Sequence, residues 1–119
     1  MPAVTIRGVF KGASRTASLA AGEVLFRAGD PGTEMFGVIS GQIELRSGDH
    51  VLQTLASGDT FGELAIIDAG PRTLTAVAVE PTEVAVIGQR DFLYLVHETP
   101  TFALDVMRSM AHLIRELEP

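Results

Sequence analysis

Apolar residues in the first ninety positions come in short bursts, at 18–21, 23–27, 35–46, 51–55, 73–79 and 83–87, with glycine, proline and Gly-Asp signals between them. Several bursts alternate with a period of two. In Gln42-Ile43-Glu44-Leu45-Arg46, Ile43 and Leu45 point one way and Gln42, Glu44 and Arg46 the other, which predicts a strand with one buried face. The run 73–79 places β-branched residues at Thr73, Thr75, Val77 and Val79, types that pack well on a pleated surface. Short strands at a spacing of roughly ten residues describe a small antiparallel roll or sandwich. A parallel α/β sheet is not expected, because the segments before residue 60 leave little room for crossover helices.

The last third changes period. Phe92, Leu93, Leu95 and Val96 share one broad helical face, and Thr99-Pro100 reads as a helix start, with Thr as N-cap and Pro at the first helical position. Phe102, Val106, Met110, Leu113 and Leu117 then recur at spacings of four, four, three and four, the mark of an amphipathic helix. A second stripe of Leu104, Met107, Ala111 and Ile114 makes this helix wider than one core contact needs. It is therefore expected to meet the roll on one side and a partner, most simply a second copy of the chain, on the other.

With 119 residues, the chain is expected to form one domain over 1–119, with the roll at about 14–88 and the C-terminal helices at about 89–117. Nine Lys and Arg against fifteen Asp and Glu give a net charge of −6, which disfavours direct contact with a phosphate backbone or an anionic membrane. No basic recognition helix or helix-turn-helix is evident, so direct nucleic-acid binding is not expected. The absence of cysteine removes disulfides, thiolate catalysis and cysteine-ligated metals. His50, His97 and His112 have no zinc-like spacing, so no metal site is expected. Asp30, Asp49 and Asp59 sit in turn contexts that suit Asx-turns better than paired acid–base work. No Gly-x-Ser-x-Gly elbow or nucleophile–base pair is present, so the chain is not expected to be an enzyme. No stretch has the length of a membrane span or the pattern of a signal peptide, so a cytoplasmic location is expected.

The most informative chemistry lies in Gly58-Asp59-Thr60-Phe61-Gly62-Glu63-Leu64-Ala65-Ile66-Ile67-Asp68-Ala69-Gly70-Pro71-Arg72-Thr73. Gly62 leaves room for backbone to approach a ligand, and residues 63–67 are expected to form a short helix with free N–H groups at its start. Arg72 follows a proline and is expected to open a strand, a rigid base from which a guanidinium reaches an anion. Thr73 adds a hydroxyl. Glu63 would be a poor phosphate partner but a good acceptor for a sugar hydroxyl.

This segment resembles the phosphate-binding cassette of the cyclic nucleotide-binding domain family: Phe-Gly-Glu-Leu-Ala, a short variable stretch, then Pro-Arg and a small or hydroxyl residue. Upstream, Ala21-Gly22-Glu23-Val24-Leu25-Phe26-Arg27-Ala28-Gly29-Asp30-Pro31-Gly32 and Val38-Ile39-Ser40-Gly41-Gln42-Ile43 resemble the family's opening strands. The likeness covers roughly residues 14–117. It implies a mainly β fold: an eight-stranded antiparallel, jelly-roll-like β-roll with a short cassette helix and C-terminal helices, and cAMP or cGMP as the ligand with no other cofactor. It also implies that Arg72 pairs with the cyclic phosphate, that Glu63 accepts from the ribose 2′-OH, and that the amides of Gly62, Glu63 and Leu64 line the pocket. A hydroxyl at Thr73 is associated in the family with tolerance of cGMP in the syn form. The last helix would act as a lid, would carry a dimer interface in some members, and would pass the signal to an effector domain or protein.

The sequence departs from the family pattern in three places. Leu74 stands where Ala is usual, and is expected either to enter the roll interior or to press on the cassette helix. Gly37 stands where a larger apolar residue is common. The lid has no arginine at the base-capping position, which aligns with Leu113; His112 and Arg115 are weaker candidates. A degenerate roll serving as a dimerisation or docking module without ligand is the competing reading. A cupin-like enzyme would need a histidine cluster that is absent.

Overall fold

A computed structural model describes residues 15–117. Eight strands are present among them: β1 (Thr16–Leu19), β2 (Val24–Phe26), β3 (Met35–Ser40), β4 (Ile43–Ser47), β5 (His50–Leu55), β6 (Thr60–Phe61), β7 (Thr75–Ala78) and β8 (Thr82–Ile87). They form two four-stranded sheets, ordered β1-β8-β3-β6 and β2-β7-β4-β5, and every pairing is antiparallel. The short helix α1 (Leu64–Ile67) lies between β6 and β7, and α2 (Gln89–Glu98) and α3 (Thr101–Leu117) follow β8. This is the expected mainly β roll with a cassette helix and C-terminal helices.

The core between the sheets is built from alternate positions. Ile43 and Leu45 of β4 point inward, as their spacing predicts, while Glu44 and Arg46 pair with each other on the outside at 2.7 Å. The segment 73–79 behaves differently from its β-branched pattern. The strand begins only at Thr75, and the residues facing the interior are Leu74, Ala76 and Ala78. The Thr75 hydroxyl instead accepts a hydrogen bond from the Ala28 N–H at 3.0 Å. Small residues face inward here because β7 lies between β2 and β4, where the interior is already filled by Phe26 and Leu45.

Within the β1-β8-β3-β6 sheet, the inner strand β3 is buried on both faces. Phe36, Val38 and Val84 face the other sheet, whereas Met35, Ile39, Ala85 and Ile87 form a second core with Phe102 and Val106 of α3. Gly37 is buried on this outer face opposite Ala85, so two small residues lie side by side where the helix packs. Phe92, Leu95, Val96 and Met110 pack on the same core, but Leu93 is exposed and does not share the buried face of α2 as expected. Thr99 closes α2, donating its N–H to the Leu95 carbonyl at 2.8 Å, and its own carbonyl accepts from Phe102 N–H at 2.8 Å. One residue therefore joins the two helices, and α3 begins just after Pro100.

Candidate functional site

The backbone of Arg72 is fixed by a turn rather than by a strand. Its N–H donates to the Asp30 carbonyl and its carbonyl accepts from the Gly29 N–H, both at 2.8 Å. The turn is braced in its own right, because the Asp30 carboxylate accepts from the Arg27 N–H at 2.9 Å. Asp59 does the same for the Ala56 N–H at 2.9 Å, in keeping with turn roles for both residues. The Arg72 guanidinium then lies over the Phe26 ring, 4.3 Å from its centroid and 5.5 Å from that of Phe36. Gly32 makes this possible, since a Cβ there would sit 2.2 Å from Nε.

Arg72 has few partners of its own. Nη1 reaches the Gly62 carbonyl only at 3.4 Å, and the buried Nε has no acceptor among the described residues. Desolvation lowers its pKa, partly offset by the charges of Glu34 and Asp30, but a guanidinium stays charged. Gly62 adopts φ +77°, a conformation that side-chain-bearing residues seldom take, and a Cβ there would approach Nη1 to 3.0 Å. The tight backbone turn thus brings the start of α1 next to the cation.

Glu63 precedes α1 and is 5% exposed. Its Oε2 accepts from the Thr60 hydroxyl at 2.5 Å, which is the one hydrogen bond to this carboxylate among the described residues. The Thr60 carbonyl in turn accepts from the Ser109 hydroxyl of α3 at 2.9 Å. Leu64 opens the helix, where first-turn N–H groups lack intrahelical acceptors.

Gly62, Glu63, Leu64, Arg72, Thr73 and Leu113 all line a single cavity of about 220 Å³. Phe26, Leu45 and Leu74 contribute from the roll, and Ser109, Met110 and Leu117 from α3. Leu74 is 7% exposed and belongs to the inter-sheet core while also lining the cavity. It therefore enters the roll interior and bounds the pocket at once. Of the three lid candidates, Leu113 reaches the cavity; His112 lines a separate groove beside β5, and Arg115 is exposed. Among the described residues no group of His, Asp or Glu could hold a metal ion. No described helix is long and apolar enough to cross a membrane.

Sequence reasoning overlooked Gly32, Thr60 and Ser109. Gly32 carried a weak signal in its Asp30-Pro31-Gly32 turn. Thr60 and Ser109 carried none, since their roles depend on β6 and α3 meeting across 49 residues of chain.

A cationic side chain and a buried carboxylate thus face one mostly apolar cavity beneath a helix. The family model for the cyclic nucleotide-binding domain matches residues 16–99. The chain belongs to the cyclic nucleotide-binding domain family. A cyclic AMP receptor protein from Thermus thermophilus is 32% identical over 102 residues, which are 82% of this chain and 47% of that protein. The chain thus spans about half the length of this curated relative. Among solved structures, a chain from work on a cyclic-GMP-dependent signalling pathway in bacterial phytopathogenesis matches at TM-score 0.75. It is 28% identical and is covered over 97% of this chain and 94% of its own. The cAMP-bound PfPKA-R matches at TM-score 0.78 and 22% identity, covering 97% of this chain and 44% of its own, a likeness of fold. For this cyclic nucleotide-binding domain, the cassette read from the sequence is the wall of the cavity that holds Arg72 and Glu63.

Proposed function

We propose that this domain is a sensor for a cyclic purine nucleotide, cAMP or cGMP, and that it reports occupancy through α3. The observation that carries this reading is the pairing of Arg72, whose buried Nε has no acceptor among the described residues, with the buried Glu63 on the same cavity. A cyclic phosphate supplies the acceptor that Nε lacks, in a charge-assisted contact. The ribose 2′-OH supplies a donor to Glu63, and the amides of Gly62, Glu63 and Leu64 face the ligand at the cassette turn. Thr73 lines the cavity, and its hydroxyl would contact the phosphate and add tolerance of cGMP. The base packs beneath Leu113, an apolar cap in place of an arginine.

The output of such a sensor is a change in the position of α3, which requires that ligand bind one helix position better than another. The family setting supports a binding and regulatory module with no catalytic step. A homodimer through α3 and an effector domain or protein are the partners this reading implies.

Isothermal titration of nucleotide-free protein with cAMP and cGMP tests it. One-to-one binding in the micromolar range or tighter is expected, and the ratio of the two affinities reports on Thr73. A folded protein silent to both ligands would overturn the sensor reading in favour of the docking module, a reading that the bulk of Leu74 at the cavity favours.

A further inference from the structure

Glu63 is a buried carboxylate with an unusual degree of isolation. A charge taken out of water needs hydrogen bonds or an opposite charge, and no cation within 4.0 Å pairs with it among the described residues. Its one donor is the Thr60 hydroxyl at 2.5 Å, the length of a short, charge-assisted O–H···O contact. Thr60 is itself 4% exposed and rigidly mounted. It pairs with Gly37 across β3–β6, its carbonyl is held by Ser109, and its β-branched side chain has few rotamers.

We infer that Thr60 is a positioning residue: its hydroxyl locks Oε2 of Glu63, fixing the carboxylate plane so that Oε1 meets a ligand hydroxyl, and thereby sets the preference for a nucleotide that carries a ribose 2′-OH. The inference rests on the ribose role proposed for Glu63 and adds the group that gives the role its geometry. Without the Thr60 donor, the carboxylate rotates about its last torsion, which has only a broad preference, and the hydroxyl loses a fixed acceptor. A second consequence is that ribose recognition and the seat of α3 share one residue, since the same Thr60 takes the Ser109 hydroxyl on its backbone oxygen.

The test compares affinities for cAMP and 2′-deoxy-cAMP in the wild-type protein and in the Thr60→Val and Thr60→Ser variants. Val keeps the branched shape and removes the donor; Ser keeps the donor. Wild type is expected to prefer cAMP, Thr60→Val to lose about tenfold of that preference through weaker cAMP binding, and Thr60→Ser to retain most of it. A wild type that binds both nucleotides equally, or neither, overturns the ribose reading of Glu63 and this inference with it. A wild type that discriminates, alongside a Thr60→Val variant that discriminates just as well, overturns the Thr60 role alone. Equal loss of both affinities in Thr60→Val marks packing rather than positioning and also overturns it.

Discussion

Arg72 sits over Phe26, with its guanidinium carbon 4.3 Å from the ring centroid and its Nε buried without an acceptor among the described residues. The ring holds the cation at the cavity wall by cation–π attraction and packing. Arg72→Ala is therefore expected to lower cyclic nucleotide affinity by about 2–5 kcal/mol, the cost of losing one partner of a buried charge pair. The fold should survive, since the backbone bonds of residue 72 to Gly29 and Asp30 do not use the side chain. Arg72→Lys should recover little, because an ammonium cannot present a planar fork. Titration calorimetry with a thermal melt of each variant checks both halves.

Leu74 belongs to the inter-sheet core and borders the cavity, so its two roles respond in opposite directions. Leu74→Ala should cost about 2–5 kcal/mol of stability through the space left in the core. Nucleotide affinity should hold or rise, because the pocket is widened. A lowered melting temperature together with an unchanged or smaller Kd is the expected pair of results; a clear loss of affinity in the folded variant would make Leu74 a ligand contact instead.

The cassette was legible in the sequence because its chemistry is local. Gly62, Glu63, Leu64, Arg72 and Thr73 fall within twelve residues, and the loop that carries them brings all five to one cavity wall. The period-two pattern of 42–46 likewise translated directly into β4. The pattern failed where a neighbour decided the outcome. The β-branched run at 73–79 read as strand throughout, yet the strand begins only at Thr75, and beside Phe26 and Leu45 the residues in the inter-sheet core are Leu74, Ala76 and Ala78. Leu93 looked like part of a buried face, but the outer core meets α2 through Phe92, Leu95 and Val96 alone. Thr60 and Ser109 were invisible for a related reason: a hydroxyl on a strand or helix has no meaning until its partner across the fold is known.

The outward stripe of α3 predicts association. Leu104, Met107 and Ile114 recur at spacings of three and seven and are 48%, 58% and 55% exposed. Each leaves apolar area in water that a second helix would cover, worth about 1.5–3 kcal/mol for a fully buried side chain. Sedimentation is expected to give twice the 12.7 kDa chain mass. The paired substitution Leu104→Glu and Met107→Glu, which spares Ile114 because that residue also lines the cavity, should yield a folded monomer. A wild type that sediments as a monomer at high concentration would rule out this interface.

The lid role of α3 is best tested by point variants. Phe102 and Val106 are fully buried in the outer core, so cutting the chain after Thr99 would damage the roll as well as remove the lid. Leu113 and Ser109 isolate the lid from that core. Leu113 lines the cavity and packs partly on the inter-sheet core, while Ser109 ties α3 to the Thr60 carbonyl at 2.9 Å. Leu113→Ala removes apolar cover from the base and should speed nucleotide release by about tenfold, in line with about 1–2 kcal/mol of lost burial. Ser109→Ala removes one neutral hydrogen bond, worth about 0.5–1.5 kcal/mol, and should speed release by a smaller factor. Association should change little in either, because Arg72 and Glu63 remain in place to capture the ligand. Stopped-flow measurement with a fluorescent cyclic nucleotide separates the two rates. Release unchanged in both variants would show that α3 does not close over the base.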